Sequence, residues 1–340
     1  MPIWSKFSLL LIALICSFYF SLVAGPAHIS SNQILRLIMA WPQSRDAADW
    51  YIFADIRLPR VLLASLVGGA LGCSGAVLQG LLRNPLADPG LIGVSSGAAL
   101  AASVVILLST SLFPAYASNF GLWSIPAAGL LGGLGAVLIL YLFATRKGST
   151  SIATIILGGV STSAFAGALT GIIVTAANDQ TLRTITFWSL GSLAGASWPE
   201  LEAFLPFIIV GGICVISLPH GLNALQLGEA EAHHMGASVQ KIKCLSLFST
   251  ACLTGAAVSV SGIIGFIGLL VPHLARLGFS PDYRTVLPAS TLLGATLLLL
   301  ADTLARLLIS PAELPVGIVT ATIGAPCFFW LLLKKQGNPL

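Results

Sequence analysis

About ten apolar runs, each close to the length that crosses a bilayer as a helix, follow one another through this 340-residue chain. A transmembrane helix needs about 20 mostly apolar residues. Charged residues make up only 8% of the sequence, whereas a soluble domain carries about 25%, so the composition argues strongly against a soluble protein. The runs lie near 7–23, 61–82, 91–109, 122–144, 152–175, 203–218, 244–260, 262–277, 286–308 and 315–333.

These runs predict an all-α membrane protein with about ten transmembrane helices. Barrel strands are excluded because the runs are too long and do not alternate in polarity. Several runs are short or interrupted by Pro or Gly, and the run at 262–277 is the weakest. We expect one polytopic domain over 1–340, made of a first span and outer segment at 1–60, spans two to six at 61–218, an inner loop at 219–243 and spans seven to ten at 244–335.

The first run has two interpretations. Lys6, an apolar stretch and then small residues resemble a secretory signal peptide. We favour an uncleaved first span, because the apolar stretch is long and a polytopic protein follows it. The sidedness of the later spans is the same in both cases.

Basic residues set the expected orientation. With the N-terminus inside, ten of the sixteen Lys and Arg residues fall on the inner side, and cytoplasmic loops carry the excess of positive charge. Both termini are therefore expected in the cytoplasm. The inner set is Lys6, Arg83, Arg146, Lys147, Lys241, Lys243, Arg276, Arg284, Lys334 and Lys335, and the outer set is Arg36, Arg45, Arg57, Arg60, Arg183 and Arg306.

Three local patterns add detail. The inner loop is predicted to form two short helices that are separated near Gly228. Ser74-Gly75 precedes Pro85, and Ser261-Gly262 precedes Pro272 at the same distance, which suggests an inverted internal repeat of the kind found in transporters or a chance similarity. Rows of small residues let helices approach closely in lipid, and two such rows are Gly68, Gly69, Gly72 and Gly75, then Gly129, Gly132, Gly133 and Gly135.

The sequence contains no catalytic constellation and no Walker A phosphate-binding loop. We therefore expect no enzyme, and ATP hydrolysis, where it occurs, on a separate subunit. Asp302 and Arg306 have the i,i+4 spacing of a local pair. Carboxylates in mid-membrane are scarce, which weakens an ion-coupled carrier without excluding it.

A metal site is not expected. His233 and His234 lie beside Glu229 and Glu231, and we favour a solvated helix or contact surface there. The six cysteines lie in or beside apolar runs without a CxxC pair, so we interpret them as packing residues. No cofactor bound by this chain is expected.

Seven segments in order resemble the FecCD-type permeases, the membrane subunits of ABC importers for iron–siderophores, haem and cobalamin. The resemblance covers nearly all of 57–335, and the combination is specific although each piece alone is weak. The segments are RLPR at 57–60, SGAVLQGLLRNPLADPGLIGVSSGAAL at 74–100, LGEAEAHHMGAS at 227–238, GIIGFIGLLVPHLARL at 262–277, VLPASTLLGA at 286–295, LLLADTLAR at 298–306 and PAELPVGIVTATIGAPCFFWLLL at 311–333.

The resemblance implies a ten-helix subunit of type II ABC importer architecture that forms a homodimer in the bacterial inner membrane. Two ATPase subunits, which hold ATP and Mg²⁺, would dock inside, and a periplasmic substrate-binding protein would dock outside. Lipid is a further expected partner and nucleic acid is not.

The resemblance also implies residue roles. Glutamates of the binding protein would form exposed ion pairs with Arg57, Arg60 and Arg306; interfacial anchoring of these arginines is the alternative. The inner gate would lie at Ser149, Thr150 and Ser151, which also suit a helix cap before Ile152. The ATPase-coupling residues would be Leu227, Gly228, Glu229, Glu231, Ala232 and Gly236.

The cargo is the least determined feature. The segments at 83–89 and 184–193 look most like the haem branch of the family, with ferric siderophore and then cobalamin as alternatives. An ion-coupled secondary transporter and a membrane scaffold or receptor are alternatives of other classes.

Overall fold

The structure is a computed structural model, which describes residues 2–25, 32, 33, 36, 39, 48–109 and 123–336. A helical turn at Ala48–Tyr51 and a π-helical segment at Ile52–Arg57 lead into α2, and a 3₁₀ turn at Pro89–Ile92 precedes α3. The helices are α1 Ile3–Val23, α2 Leu58–Leu82, α3 Val94–Leu107, α4 Ser124–Ala144, α5 Ile152–Ala176, α6 Asp179–Ser189, α7 Trp198–Ile216, α8 Pro219–Gln226, α9 Glu229–His234, α10 Val239–Ser261, α11 Ile267–Gly278, α12 Tyr283–Leu308 and α13 Val316–Gln336.

Each predicted apolar run contains a helix, and this confirms the all-α fold. Seven helical stretches in the described part of the chain are long and apolar enough to cross a membrane. They are α1, Ala48–Leu82, α4, α5, α7, α10 and α12, and shorter apolar helices occur at α3, α11 and Val316–Leu331. The chain is therefore a multi-pass membrane protein.

The run at 262–277 is helical only in its second part, so its helix is shorter than the apolar run suggests. Gly262 ends α10 with a φ of +66°, which favours glycine, and the backbone stays non-helical to residue 266. The 12 residues of α11 extend only about 18 Å at 1.5 Å per residue, less than the hydrocarbon core.

A glycine seam joins α2 to α12, as the first glycine row predicts. A Cβ on Gly68 would overlap the carbonyl oxygen of Gly294, and one on Gly72 would overlap that of Ser290. In the second row, Gly132 faces Gly97 of α3 equally closely, whereas Gly135 has open space around it. Glycine is therefore required where the helix backbones touch. This close approach adds van der Waals contacts between the helices, which favour their association in lipid.

The polar segments separate to the two ends of the bundle, as the predicted topology requires. At one end, Lys6 Nζ donates to the carbonyl of Gly278 at 2.6 Å, and Gln226 Nε2 donates to that of Gly80 at 3.0 Å. At the other end, the loop after α12 meets the start of α2. We call these the inner and outer ends after their predicted orientation, which stays a prediction.

The proposed repeat does not occupy equivalent positions. Ser74-Gly75 lies in the middle of α2, whereas Ser261-Gly262 lies where α10 ends. Pro85 follows a helix, but Pro272 lies inside α11. The structure therefore does not support this register of an inverted repeat.

The first apolar run is a helix packed into the bundle. Helix α1 lies against α12, with Leu14, Phe18 and Leu22 on the core. Much of the segment after α1, including His28, Trp41 and Arg45, lies outside the described residues.

Candidate docking and coupling sites

The outer end holds a buried charge cluster, which we define as Arg57, Arg60, Asp302, Arg306 and Glu313. Arg60 donates from Nε and Nη2 to Asp302 at 2.9 to 3.1 Å, and from Nη1 to Glu313 at 2.9 and 3.0 Å. Arg306 Nε lies 3.1 Å from Asp302 Oδ2 without hydrogen-bond alignment. The predicted pair of Asp302 and Arg306 is confirmed, but the hydrogen bonds of Asp302 come from Arg60.

The C-terminal end of α1 binds the remaining arginines. Arg57 Nη1 donates to the carbonyls of Leu22 and Val23 at 2.7 and 2.8 Å. Arg306 Nη2 donates to the hydroxyl and carbonyl of Ser21 at 2.7 and 3.1 Å. The last carbonyls of a helix lack donors within the helix and form the negative end of its dipole. The two arginines therefore supply the missing donors and fasten α1 to α2 and α12.

The cluster differs from the exposed ion pairs expected at this end. Arg57, Arg60 and Arg306 are only 4%, 7% and 3% exposed, because three helices converge on them. Three arginines and two carboxylates leave an excess of one positive charge. A docking role for the arginines stays a prediction. Glu313 has a side chain that is 31% exposed, so it is the most accessible member of the cluster.

The inner loop forms two short helices, α8 and α9, as predicted. They are separated at Gly228, whose φ of +117° suits glycine. Ala232 is fully buried in a cluster with Leu225 and Leu247. It therefore anchors α9 to the bundle.

The other coupling candidates of this loop face outward or open space. Leu227 is 65% exposed, and Glu231 is exposed. Gly236 follows α9 with a φ of +80°, and a Cβ added to it would meet nothing within 4 Å. This surface is open to a partner at the inner end, and its role in coupling stays a prediction.

The three gate candidates lie in and after a short hairpin. Thr145–Arg146 pairs antiparallel with Ser149–Thr150, and we call residues 145–150 the inner hairpin. Ser151 Oγ accepts from the backbone N–H of Thr154 at 3.3 Å, so its predicted cap of α5 is confirmed. Ser149 is exposed, whereas Thr150 is buried, so the three hydroxyls do not share one surface. Their role as a gate stays a prediction.

The first turns of α10 hold the inner hairpin in place. Gln240 accepts from Thr150 N at 3.0 Å and donates to Thr150 Oγ1 at 2.6 Å. Lys243 donates to the carbonyl of Thr150 at 2.6 Å and to Glu229 at 2.7 Å. Sequence reasoning placed Lys243 among the inner charges but not at this junction. A lysine directly before an apolar run is the one signal that could have pointed to it.

Helix α8 is tied to α12 by a second set of hydrogen bonds. Asn223 donates to Asp282 at 2.6 Å and accepts from Tyr283 N at 3.0 Å. The backbone N–H of Arg284 and the amide of Asn223 hold the pKa of Asp282 below its usual value. The stability from these bonds is present above the unfolded pKa and is lost as pH falls through the lowered folded value. The two helices are therefore held together at neutral pH.

A cavity of about 730 Å³ opens at the outer end beside α6. Arg183, Phe187 and Trp188 line it, together with Ser259 and Ser261 of α10. It takes in part of the 184–193 segment that looks most like the haem branch. Its volume lies within the range of about 300–1,000 Å³ that is usual for small-molecule pockets.

The histidines of α9 lie on an exposed stretch. His233 and His234 are both exposed, while neighbouring Glu229 binds Lys243. Within the described ranges, no group of three His, Cys, Asp or Glu side chains is placed to hold a metal. This stretch presents a polar surface at the inner end.

The polytopic helical bundle, with its outer charge cluster and its inner pair of short helices, agrees with the ABC importer permease expected from the sequence. The model of the FecCD transport family matches residues 11–334, and the chain belongs to that family. This confirms the resemblance found in the sequence.

Relatives with different names are similar over most of their length. The chain is 44% identical to the hemin transport system permease protein HmuU of Yersinia pestis over 93% of this chain and 92% of the relative. It is 41% identical to the cobalamin import system permease protein BtuC of Halobacterium salinarum over 85% and 75%. A solved inward-facing transporter assigned to the metal-chelate type is 34% identical with a TM-score of 0.84, covering 97% of this chain and 99% of that one. This confirms the type II importer fold.

Proposed function

We propose that this chain is the membrane subunit of an importer that carries haem across the bacterial inner membrane. Two copies form a homodimer with the path between them. Two ATPase subunits, which hold ATP and Mg²⁺, dock on α8 and α9, and a periplasmic binding protein delivers haem at the outer end. The chain catalyses no reaction itself and binds no cofactor of its own.

The similarity to a hemin permease carries the choice of haem. The identity of 44% extends over 93% of this chain, compared with 41% over 85% for the cobalamin relative from Halobacterium. The outer cavity beside α6 supports the proposal, because Phe187 and Trp188 offer aromatic faces and Arg183 a cation near them. A porphyrin with carboxylate side chains matches that combination.

The proposed mechanism is alternating access driven by the partner ATPases. ATP binding brings the two ATPases together and displaces α8 and α9. The spans then rearrange from an outward to an inward opening. This mechanism needs no catalytic group on the permease, which supplies only a path and the conformational change.

Cobalamin is the second candidate cargo. Relatives named as vitamin B12 permeases, such as that of Klebsiella pneumoniae, are 40% identical over 84% of this chain. Ferric siderophores are the third candidate, on the resemblance to the family as a whole.

Reconstitution tests the class and the cargo together. The permease is placed in proteoliposomes with its ATPase, and the binding protein is added outside. We expect ATP-dependent uptake of haem that stops with a catalytically inactive ATPase. Competition with cobalamin and with a ferric siderophore ranks the three cargoes.

The possible results distinguish the transport mechanism from the identity of the cargo. Uptake driven by an ion gradient without ATPase would overturn the importer mechanism. ATP-driven uptake of cobalamin but not haem would keep the mechanism and replace the cargo. The ligand that copurifies with the binding protein gives an independent check, since that protein is expected to determine specificity.

A further inference from the structure

Lys243 occupies an unusual position for a lysine at the start of an apolar helix. Its side chain is only 3% exposed, and a buried ammonium is stable only with partners. The two partners belong to separate parts of the chain. One is the carbonyl of Thr150 in the inner hairpin at 2.6 Å, and the other is the carboxylate of Glu229 at the first residue of α9 at 2.7 Å.

The inner hairpin and α9 are separated by an open cleft. The cleft has a volume of about 550 Å³ and is lined by Ser149 on one side and by Ala230 and His233 on the other. Lys243 lies in its wall and joins the two sides. Any displacement of α9 relative to the hairpin must therefore move the hairpin as well or break a hydrogen bond of a buried charge.

Gln240 makes the hairpin side of this connection rigid. It lies about one turn before Lys243 on α10 and binds both the backbone N–H and the hydroxyl of Thr150. With Lys243 on the carbonyl, three polar groups of Thr150 are held by one helix. The hairpin thus follows α10, and α10 is tied to α9 by charge through Glu229.

We propose that Lys243 transmits the displacement of α9 to the inner hairpin and so couples ATP hydrolysis to the movement of residues 145–151. Lys243 acts as a positioning residue through Glu229 and Thr150, and it contacts neither cargo nor nucleotide. The inference rests on the proposed importer function and adds the residue that links the two inner elements. Exposure of the Glu229 side chain, at 41%, leaves its carboxylate open to influence from a docked partner.

The test compares two lysines of the same helix. In the reconstituted complex, Lys243→Met removes the charge and keeps the length of the side chain, and Lys241→Met does the same at an exposed position two residues away. The measurement is the number of cargo molecules imported per ATP hydrolysed. We expect a fall of roughly tenfold for Lys243→Met, within the range of coupling changes produced by residues between two sites, and no change for Lys241→Met.

Rescue separates coupling from mere structural damage. Lys243→Arg keeps the charge and is expected to recover most of the ratio, whereas Lys243→Gln, which can donate to Thr150 without pairing with Glu229, is not. If Lys243→Met fails to assemble, the comparison of Lys243→Gln with Lys243→Arg carries the test. A normal ratio in Lys243→Met or Lys243→Gln would overturn the inference and leave the packing of Ala232 as the link. Absence of ATP-driven uptake in the unmodified complex would instead overturn the proposed function.

Discussion

At the scale of single residues, buried charge distinguishes this chain from a generic apolar bundle. Asp302 is fully buried and accepts three hydrogen bonds from Arg60. Glu313 binds the same guanidinium from a partly exposed position. The two carboxylates that bind Arg60 therefore have very different surroundings. Substituting them is expected to change the stability of the protein by different amounts.

Asp302→Asn is expected to destabilise the protein by about 3–5 kcal/mol, because it leaves the buried Arg60 and Arg306 without their shared negative charge. Glu313→Gln is the matched control and is expected to cost about 0–1 kcal/mol, as for a pair near the surface. Thermal unfolding of the detergent-solubilised permease, followed by loss of the monodisperse peak, measures both. Equal losses for the two variants would contradict the buried role of Asp302.

Glu313→Gln also tests docking at the outer end. Because Arg60 Nη1 is occupied by Glu313, removing that carboxylate frees a donor for a carboxylate of the binding protein. We expect tighter association of the binding protein, by up to about tenfold and more at low salt. Surface plasmon resonance on nanodisc-embedded permease at two salt concentrations measures it. Unchanged affinity at both concentrations would remove Arg60 from the docking surface.

These residue-scale contacts were the least accessible to sequence reasoning. Arg60 and Glu313 are 253 positions apart, and Lys243 and Thr150 are 93 apart, so no local spacing relates them. The i,i+4 pair of Asp302 and Arg306 was predictable because helix geometry fixes it. Arg57 and Arg306 bind the end of α1, and nothing in the RLPR motif shows that contact.

At the scale of helices, close backbone contact decides which neighbours can pack. The seam between α2 and α12 consists of glycines facing carbonyl oxygens. Its existence was predictable from the glycine row, but its partner helix was not. The start of the short α11 could not be predicted either, because residues 262–266 are apolar but not helical.

Gly68→Ala is expected to destabilise the bundle by about 1–3 kcal/mol, because a Cβ there overlaps the backbone of α12 and forces the helices apart. Gly135→Ala is the control, since its surroundings are open, and it is expected to be neutral or slightly stabilising because alanine favours a helix. Unfolding of both variants in the same detergent gives the comparison. A neutral Gly68→Ala would show that the seam is looser than the structure indicates.

At the scale of the whole molecule, the succession of apolar runs predicted the helical order correctly, because every span must satisfy its own backbone hydrogen bonds in lipid. Segregation of the loops to two ends followed from that order. The sidedness of the ends rests on the distribution of Lys and Arg.

Accessibility of single cysteines measures that sidedness. In a background without the six native cysteines, Ser149→Cys is placed at the inner end and Gln180→Cys at the outer end, and both positions are exposed. A membrane-impermeant maleimide added to intact spheroplasts is expected to label only Gln180→Cys. Permeabilised cells provide the control in which both are labelled, and the reverse pattern in intact cells would invert the orientation.

The arginines on the carbonyls of α1 also impose an order on biogenesis. Ser21 leaves the ribosome well before its partner Arg306, which lies 285 positions later in the chain. Arg57 can donate to the carbonyls of Leu22 and Val23 early, but the carbonyls of Ser21 and Ala24 lack the donors of Arg306 until α12 has been inserted. The part of the attachment that Arg306 supplies is thus a late step of assembly, and nascent chains that stop before Arg306 lack it.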